Sequence, residues 1–199
     1  IGQVHHAVLS DGREVALKIQ YPGMAEAMRS DLKNARIFGL VQRLMAFSTD
    51  AEAIMSELEE RFLDELDYRK EAAYQRAYLQ RFAEHPVIVV PEVIDELSTE
   101  RVLVTDFHHG QGFYEWLEQG PGEAERQRAV HTFYRFYLGS FYMDGLFNCD
   151  PHPGNYLFRE DGRIVFLDYG CCRRYAPERI DDWVELCRAV CEDDRPGLE

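Results

Sequence analysis

The segment Asp150-Pro151-His152-Pro153-Gly154-Asn155 and the triplet Asp168-Tyr169-Gly170, which begins thirteen residues after Asn155, constrain this chain more than any other feature. Two prolines and a glycine close behind Asp150 restrict the loop backbone, and a rigid loop suits chemistry that depends on positioned groups. Between the motifs, residues 156–159 and 164–167 read as short strands around an Asp161-Gly162 turn, a hairpin signal. The fold must therefore bring an acid and an amide to the start of a hairpin and a second acid to its end. Asp150 can orient or deprotonate an attacking group. Asn155 and Asp168 offer one neutral and one charged oxygen donor, which suit Mg²⁺ beside phosphate oxygens. Gly170 reads as the point where the backbone turns sharply. Each residue also has a plainer reading: Asp150 as an Asx turn before proline, Asp168 as the turn residue closing a strand, and His152 as a structural imidazole, preferred here over a phosphate contact.

The rest of the chain supplies a setting. Residues 3–9 and 14–20 read as two strands joined at Ser10-Asp11-Gly12, with Val15 and Leu17 on one face and Ala16 and Lys18 on the other. Tyr21-Pro22-Gly23 breaks the second strand. A helix is expected over 24–47. A second, Glu-rich helix is expected over 51–82, opened by a Thr49/Glu52 capping box and carrying a core stripe of Ile54, Leu58, Phe62, Leu66 and Tyr68. Residues 87–97 and 101–107 read as strands around Ser98-Thr99, and 109–112 as a flexible crossing point. A short helix at 113–118 and a long aromatic one at 123–144 follow, the latter with Phe133, Phe136, Tyr137 and Phe141 as the centre of a second lobe. A final helix is expected over 177–191.

Composition narrows the class. With 199 residues, 46% hydrophobic and 13% aromatic, the chain has the material for one sizeable core or two small lobes. A formal net charge of −14 argues against nonspecific nucleic-acid binding and against broad attraction to anionic lipid. Its apolar runs are too short to span a bilayer. The five cysteines, 149, 171, 172, 187 and 191, are odd in number and contain no Cys-x-x-Cys, which points to reduced thiols in a cytosol-like compartment. Cys187 and Cys191, four apart, are expected to share a helix face and to serve packing. Ile1 in place of Met, and an end without a closing element, read as a piece of a longer protein.

Val15-Ala16-Leu17-Lys18 is similar to the Val-Ala-Ile-Lys strand of kinases. A lysine on such a strand would sit beside the α- and β-phosphates of a nucleotide; the alternative is a strand-end lysine snorkelling to solvent. A lysine in such a site needs a carboxylate, and Glu65, Asp67 and Glu71 are the acids that the long helix offers, although charge on a helix is commonly a solvated face.

Taken together, these residues resemble the UbiB family, the aarF-domain-containing atypical kinases, over nearly the whole chain. Ile1-Gly2-Gln3-Val4-His5 is similar to the end of the family's Ala-rich loop. Val15 to Gly23, VALKIQYPG, is similar to its lysine strand and following turn. Glu65-Leu66-Asp67-Tyr68 resembles its ExD element, which assigns Glu65 and Asp67 to the ATP site, and Glu71 matches the helix glutamate that pairs with Lys18. The Asp150 and Asp168 motifs complete the set. The resemblance implies an α+β, two-lobed protein-kinase-like fold with extra helices in the small lobe, truncated at both ends, its parts at 1–108 and 109–199. It implies Mg²⁺ and ATP as cofactors, with Asp150 catalytic and Asn155 and Asp168 on the metal. It implies slow ATP hydrolysis or phosphotransfer supporting ubiquinone or other isoprenoid-lipid metabolism, with lipid or quinone-biosynthesis proteins as partners and no nucleic acid. The expected location is cytoplasmic, peripheral to the inner membrane, or on an organellar matrix side. Two departures stand out: the upstream KxGQ segment and most of the Ala-rich loop are missing, and Tyr169 replaces Phe, so its hydroxyl needs a partner. The alternatives are a small-molecule phosphotransferase of the aminoglycoside or choline kinase type, which would lack Gly170 and the QYPG turn, and a catalytically silent scaffold that binds lipid or partner proteins.

Overall fold

The computed structural model describes residues 2–24, 26–28, 30 and 66–193. The expected helix over 24–47, the capping box at Thr49 and Glu52, the stripe at Ile54, Leu58 and Phe62, and Glu65 lie wholly or largely outside the described residues. The chain divides into two compact units, one of residues 1–79 and 91–108, the other of 80–90 and 109–199.

In the first unit, β1 (Gly2–Val8) and β2 (Glu14–Gln20) form the hairpin that Asp11-Gly12 announces. Gly12 has φ 88°, a left-handed turn conformation natural to glycine. β2 is the central strand, with β4 (Val102–Asp106) antiparallel on its other side. α1 (Tyr68–Phe82) packs Tyr68 and Ala72 against Val93 and Leu103, all buried. The expected continuous helix over 51–82 is interrupted here: Leu66 and Asp67 are not helical, and α1 starts at Tyr68. The reason is local. Asp67 Oδ1 accepts the Arg69 backbone N–H at 3.0 Å, the bond an N-cap makes to the second helical residue.

The expected strand over 87–97 is a second correction. Only β3 (Ile88–Val89) is a strand, and it pairs in parallel with β8 (Ile164–Phe166) in the second unit's sheet. Val93 makes a single bridge to Thr105, and Asp95–Leu97 is a 3₁₀ turn. Pro91 explains the break, because it has no N–H to continue a ladder; its carbonyl is taken by Gln75 Nε2 at 2.7 Å.

In the second unit, a four-stranded sheet runs β3-β8-β7-β5, with β5 (Gln111–Gly112), β7 (Tyr156–Phe158) and β8 (Ile164–Phe166). The expected crossing point at 109–112 thus contributes a short strand. α2 (Phe113–Glu118) stacks its Trp116 on Phe158, ring centroids 4.2 Å apart. The aromatic helix is α3 (Glu123–Tyr134), a π-helical turn (Arg135–Gly139) and α4 (Ser140–Asp144), ended by Gly145 at φ 66°. Phe136, on the π turn and fully buried, stacks on Phe166 at 3.8 Å and on Phe82 at 5.7 Å. Burying a ring of this size contributes about 2–3 kcal/mol, so this stack is the centre of the unit's core. A two-stranded ribbon unread in the sequence, β6 (Leu146–Asn148) with β9 (Cys172–Arg174), follows. α5 (Pro177–Cys191) ends the described residues but two. Cys187 and Cys191 on α5 are both exposed, so the packing role expected of them is not realised in the core; Cys187 instead edges a small apolar hollow with Trp183 and Tyr142.

Candidate active site

The candidate residues read from the sequence fall into two groups of side chains, one in each unit. The first stands on β2 and α1. Lys18 lies opposite Val4 on one neighbouring strand and Leu103 on the other, so both sides of its backbone are paired and its position is fixed. Its Nζ donates to both carboxylate oxygens of Glu71, at 2.7 and 2.9 Å. Glu71 is 6% exposed and sits in the first turn of α1, where the helix dipole favours an anion. A carboxylate this buried persists as a charge when a cation is held against it, and Lys18 supplies that cation. The Tyr68 ring lies 5.5 Å from the ammonium, a cation–π distance. Of the other acids read from the sequence, Asp67 caps α1 and pairs with Arg69 at 2.9 and 3.1 Å; the Arg69 guanidinium, before all other influences, pulls the Asp67 carboxyl below its ordinary range. Glu65 lies outside the described residues.

The second group stands on the β6 loop and the β7–β8 hairpin. His152 Nδ1 accepts the Gly154 N–H at 3.0 Å and so closes the 3₁₀ turn Pro153–Asn155, a structural task. Asn155 Nδ2 donates to Asp150 Oδ2 at 3.0 Å. The Asn155 carbonyl accepts from Leu167 N at 2.8 Å, which ties the loop to the chain entering Asp168. Tyr169 is fully buried and its hydroxyl donates to the Phe166 carbonyl at 2.9 Å, so the polar atom that tyrosine brings is satisfied. The left-handed conformation falls on Asp168 itself, at φ 60°, two residues before the glycine on which the sequence reading puts the turn. Its Oδ1 accepts the Gly170 N–H at 3.0 Å, the local bond that lets aspartate tolerate this backbone region.

Sequence reasoning missed Asn148. This side chain is 2% exposed at the end of β6. Its Nδ2 donates to the Asp168 carbonyl at 3.0 Å and its Oδ1 accepts the Asp150 N–H at 3.0 Å. One buried amide therefore joins the two acidic segments by their backbones. Both carboxylates, by contrast, lie on exposed residues. The signal was an amide in an otherwise apolar stretch two residues before Asp150. The structure thus brings together Lys18 with Glu71, and Asp150 with Asn155 and, through Asn148, with Asp168.

The model of the ABC1 atypical kinase-like domain matches residues 1–199. The chain belongs to the ABC1 atypical kinase-like family. Among its relatives, "Atypical kinase COQ8B, mitochondrial" of Rattus norvegicus is 33% identical over 98% of this chain and 37% of its own length. "Atypical kinase coq-8, mitochondrial" of Caenorhabditis elegans is 30% identical over 100% of this chain and 27% of its own. A solved structure, the complex of Rv3197 with erythromycin from Mycobacterium tuberculosis, is 35% identical with a TM-score of 0.79, and the match covers 100% of this chain and 50% of that one. The chain therefore spans between 27% and 37% of the length of these two curated relatives. The α+β, kinase-like fold expected from the sequence is the fold of this ABC1 domain. Among the described residues no helix is long and apolar enough to cross a membrane.

Proposed function

We propose that this ABC1 domain binds MgATP and turns it over slowly by hydrolysis or phosphotransfer, in support of isoprenoid-lipid or ubiquinone metabolism. The observation that carries the reading is the Asn148 junction, which ties together the backbones of Asp150 and Asp168, two residues that are themselves exposed. The donor set fits Mg²⁺. Asn155 donates through its Nδ2 to Asp150, so its amide oxygen is the atom suited to a cation, and Asp168 brings a carboxylate on an exposed residue. One charged and one neutral oxygen suit an ion that retains water and phosphate oxygens in its other positions. Bound there, the ion would offset negative charge on the phosphates.

The residues of the chain do the rest. Lys18, aligned by Glu71, holds the α- and β-phosphates. Asp150, its carboxylate oriented by the Asn155 amide, aligns water or an acceptor hydroxyl and takes its proton. Asp67 caps the helix that carries Glu71 and so supports the ATP site through position; Glu65 is assigned with it. The relatives named mitochondrial support an organellar setting; a membrane-peripheral place, with lipid or quinone-biosynthesis proteins as partners, is part of the same proposal.

The test is a thermal shift with MgATP on the full-length protein, its Asp168→Asn variant and its Asp150→Asn variant. At nucleotide near 100 times Kd the stabilisation should be about 2.7 kcal/mol, on the order of 5–10 °C if a unit the size of this chain melts cooperatively and less for a larger one. Asp168→Asn should lose the shift. Asp150→Asn should keep it and lose turnover. No shift in the parent protein would reject the reading in favour of a scaffold, and transfer to a soluble aminoglycoside or choline would replace the lipid context with a small-molecule one.

A further inference from the structure

Cys149 and Cys171 stand beside the two acidic segments, one directly before Asp150 and the other directly after Gly170. The β6–β9 register pairs Leu146 with Arg174, Phe147 with Arg173 and Asn148 with Cys172. One step beyond the last pair, the Cys149 N–H donates to the Cys171 carbonyl at 2.8 Å, which carries the same register on to these two residues. Successive residues of a strand face opposite sides. Burial follows that rule at this end of the ribbon: Asn148 and Cys172 are buried, whereas Phe147, Cys149, Cys171 and Arg173 are all half-buried, and only at the far end does Arg174 depart from it by being exposed. The two thiols therefore share the more open face of the ribbon, while the adjacent Cys172 faces the core.

In a hydrogen-bonded antiparallel pair the Cα atoms stand about 5.5 Å apart, within the 4.4–6.8 Å over which disulfides form. The Cβ atoms of such a pair are about 5 Å apart or more, beyond the relaxed disulfide value of roughly 3.8 Å. Closing the bond thus requires the two strand ends to draw together.

We propose that Cys149 and Cys171 are a peroxide-sensitive dithiol, and that their oxidation displaces Asp150 and the Asp168 turn. In the first step one thiolate attacks a peroxide oxygen and becomes a sulfenic acid, with the O–O bond broken and one water formed from hydrogen peroxide. In the second, the other thiolate attacks the sulfenic sulfur and expels a second water. Two thiols and one hydrogen peroxide yield one disulfide and two waters, with two electrons passing from sulfur to oxygen. The displacement acts on the Asn148 junction, because Asp150 N–H lies one residue from one sulfur and the Asp168 carbonyl three residues from the other. The disulfide stands on the ribbon geometry alone; its effect on nucleotide binding rests on the function proposed above.

The experiment treats the full-length protein with hydrogen peroxide, blocks remaining thiols, and maps cross-linked peptides by mass spectrometry without reductant. MgATP thermal shifts are recorded before oxidation, after it, and after dithiothreitol. A Cys149–Cys171 cross-link, loss of the shift on oxidation, its return with dithiothreitol, and persistence of the shift in peroxide-treated Cys149→Ser and Cys171→Ser are expected. A Cys171–Cys172 bond, a bond through Cys187 or Cys191, or isolated oxidised thiols would overturn the pairing. A Cys149–Cys171 bond that leaves the shift intact would overturn the coupling. If the reduced protein shows no shift, the nucleotide reading fails while the peptide map still decides the dithiol.

Discussion

Asn148 donates its side-chain N–H to the backbone carbonyl of Asp168, twenty residues away, at 3.0 Å. The same amide accepts from Asp150, so a single buried side chain sets the relation between two exposed acids. Asn148→Ala leaves the part-buried Asp150 N–H and Asp168 C=O without that partner, a loss of about 1 kcal/mol or more. Urea denaturation should show that loss, and MgATP turnover should fall further than the stability change accounts for, with Asn148→His recovering part of it.

Lys18→Met strands the Glu71 carboxylate in a site only 6% exposed. Breaking a buried pair on one side costs roughly 3–5 kcal/mol, and Lys18, at 24% side-chain exposure, places this pair at the low end. Glu71→Gln in the same background removes the stranded charge and should restore most of the stability but none of the nucleotide binding. Equal stability of the single and double variants would show that the pair is solvated.

His85 gives the second unit a pH dependence. Its Nδ1 accepts the Ile88 N–H at 2.9 Å and the Val87 N–H at 3.2 Å. Burial first, then the Arg135 and Arg81 charges facing it, hold its pKa below 6.5. A depressed histidine leaves the unfolded chain binding more protons, so its contribution is fully present above about pH 6.5 and declines as pH falls below that value. Melting temperature should drop between pH 7.5 and 5.5, and the slope should flatten in His85→Asn, whose amide oxygen can keep an acceptor role. An unchanged slope would assign the loss to other groups.

Gly145 ends α4 in the left-handed region, and a Cβ there would collide with the Tyr175 carbonyl oxygen. Gly145→Ala should destabilise by about 1–3 kcal/mol, seen as a lower denaturation midpoint with an unchanged m-value. Gly162→Ala, also left-handed but with open space around it, should cost less.

Legibility followed the range of the interactions. The β1–β2 and β7–β8 hairpins could be read because Asp11-Gly12 and Asp161-Gly162 are local turn signals. Lys18 could be read because an apolar strand isolates it. The β6–β9 ribbon could not: two three-residue strands separated by more than twenty residues carry no periodicity of their own. Asn148 was lost with it, since an amide counts as important only when both of its distant backbone partners are seen. The stretch over 87–97 was overread because apolar content was weighed above Pro91. The start of α1 was missed because Asp67 was weighed as a site acid, although the same carboxylate also served as a cap.

The π turn at Arg135–Gly139 puts one extra residue into the helical path between α3 and α4. Each residue of an α-helix advances the side-chain direction by about 100°, so this insertion sets the phase of everything after it. As built, Ser140 and Phe141 turn inward, Asp144 meets Arg81, and the Gly139 carbonyl takes an Arg81 N–H at 3.2 Å. A deletion within this turn would straighten the helix and mis-index all four residues at once. The bulge works as a vernier: a gapless helix of the same composition would be smoother and would aim β6, and Asn148 at its end, in the wrong direction.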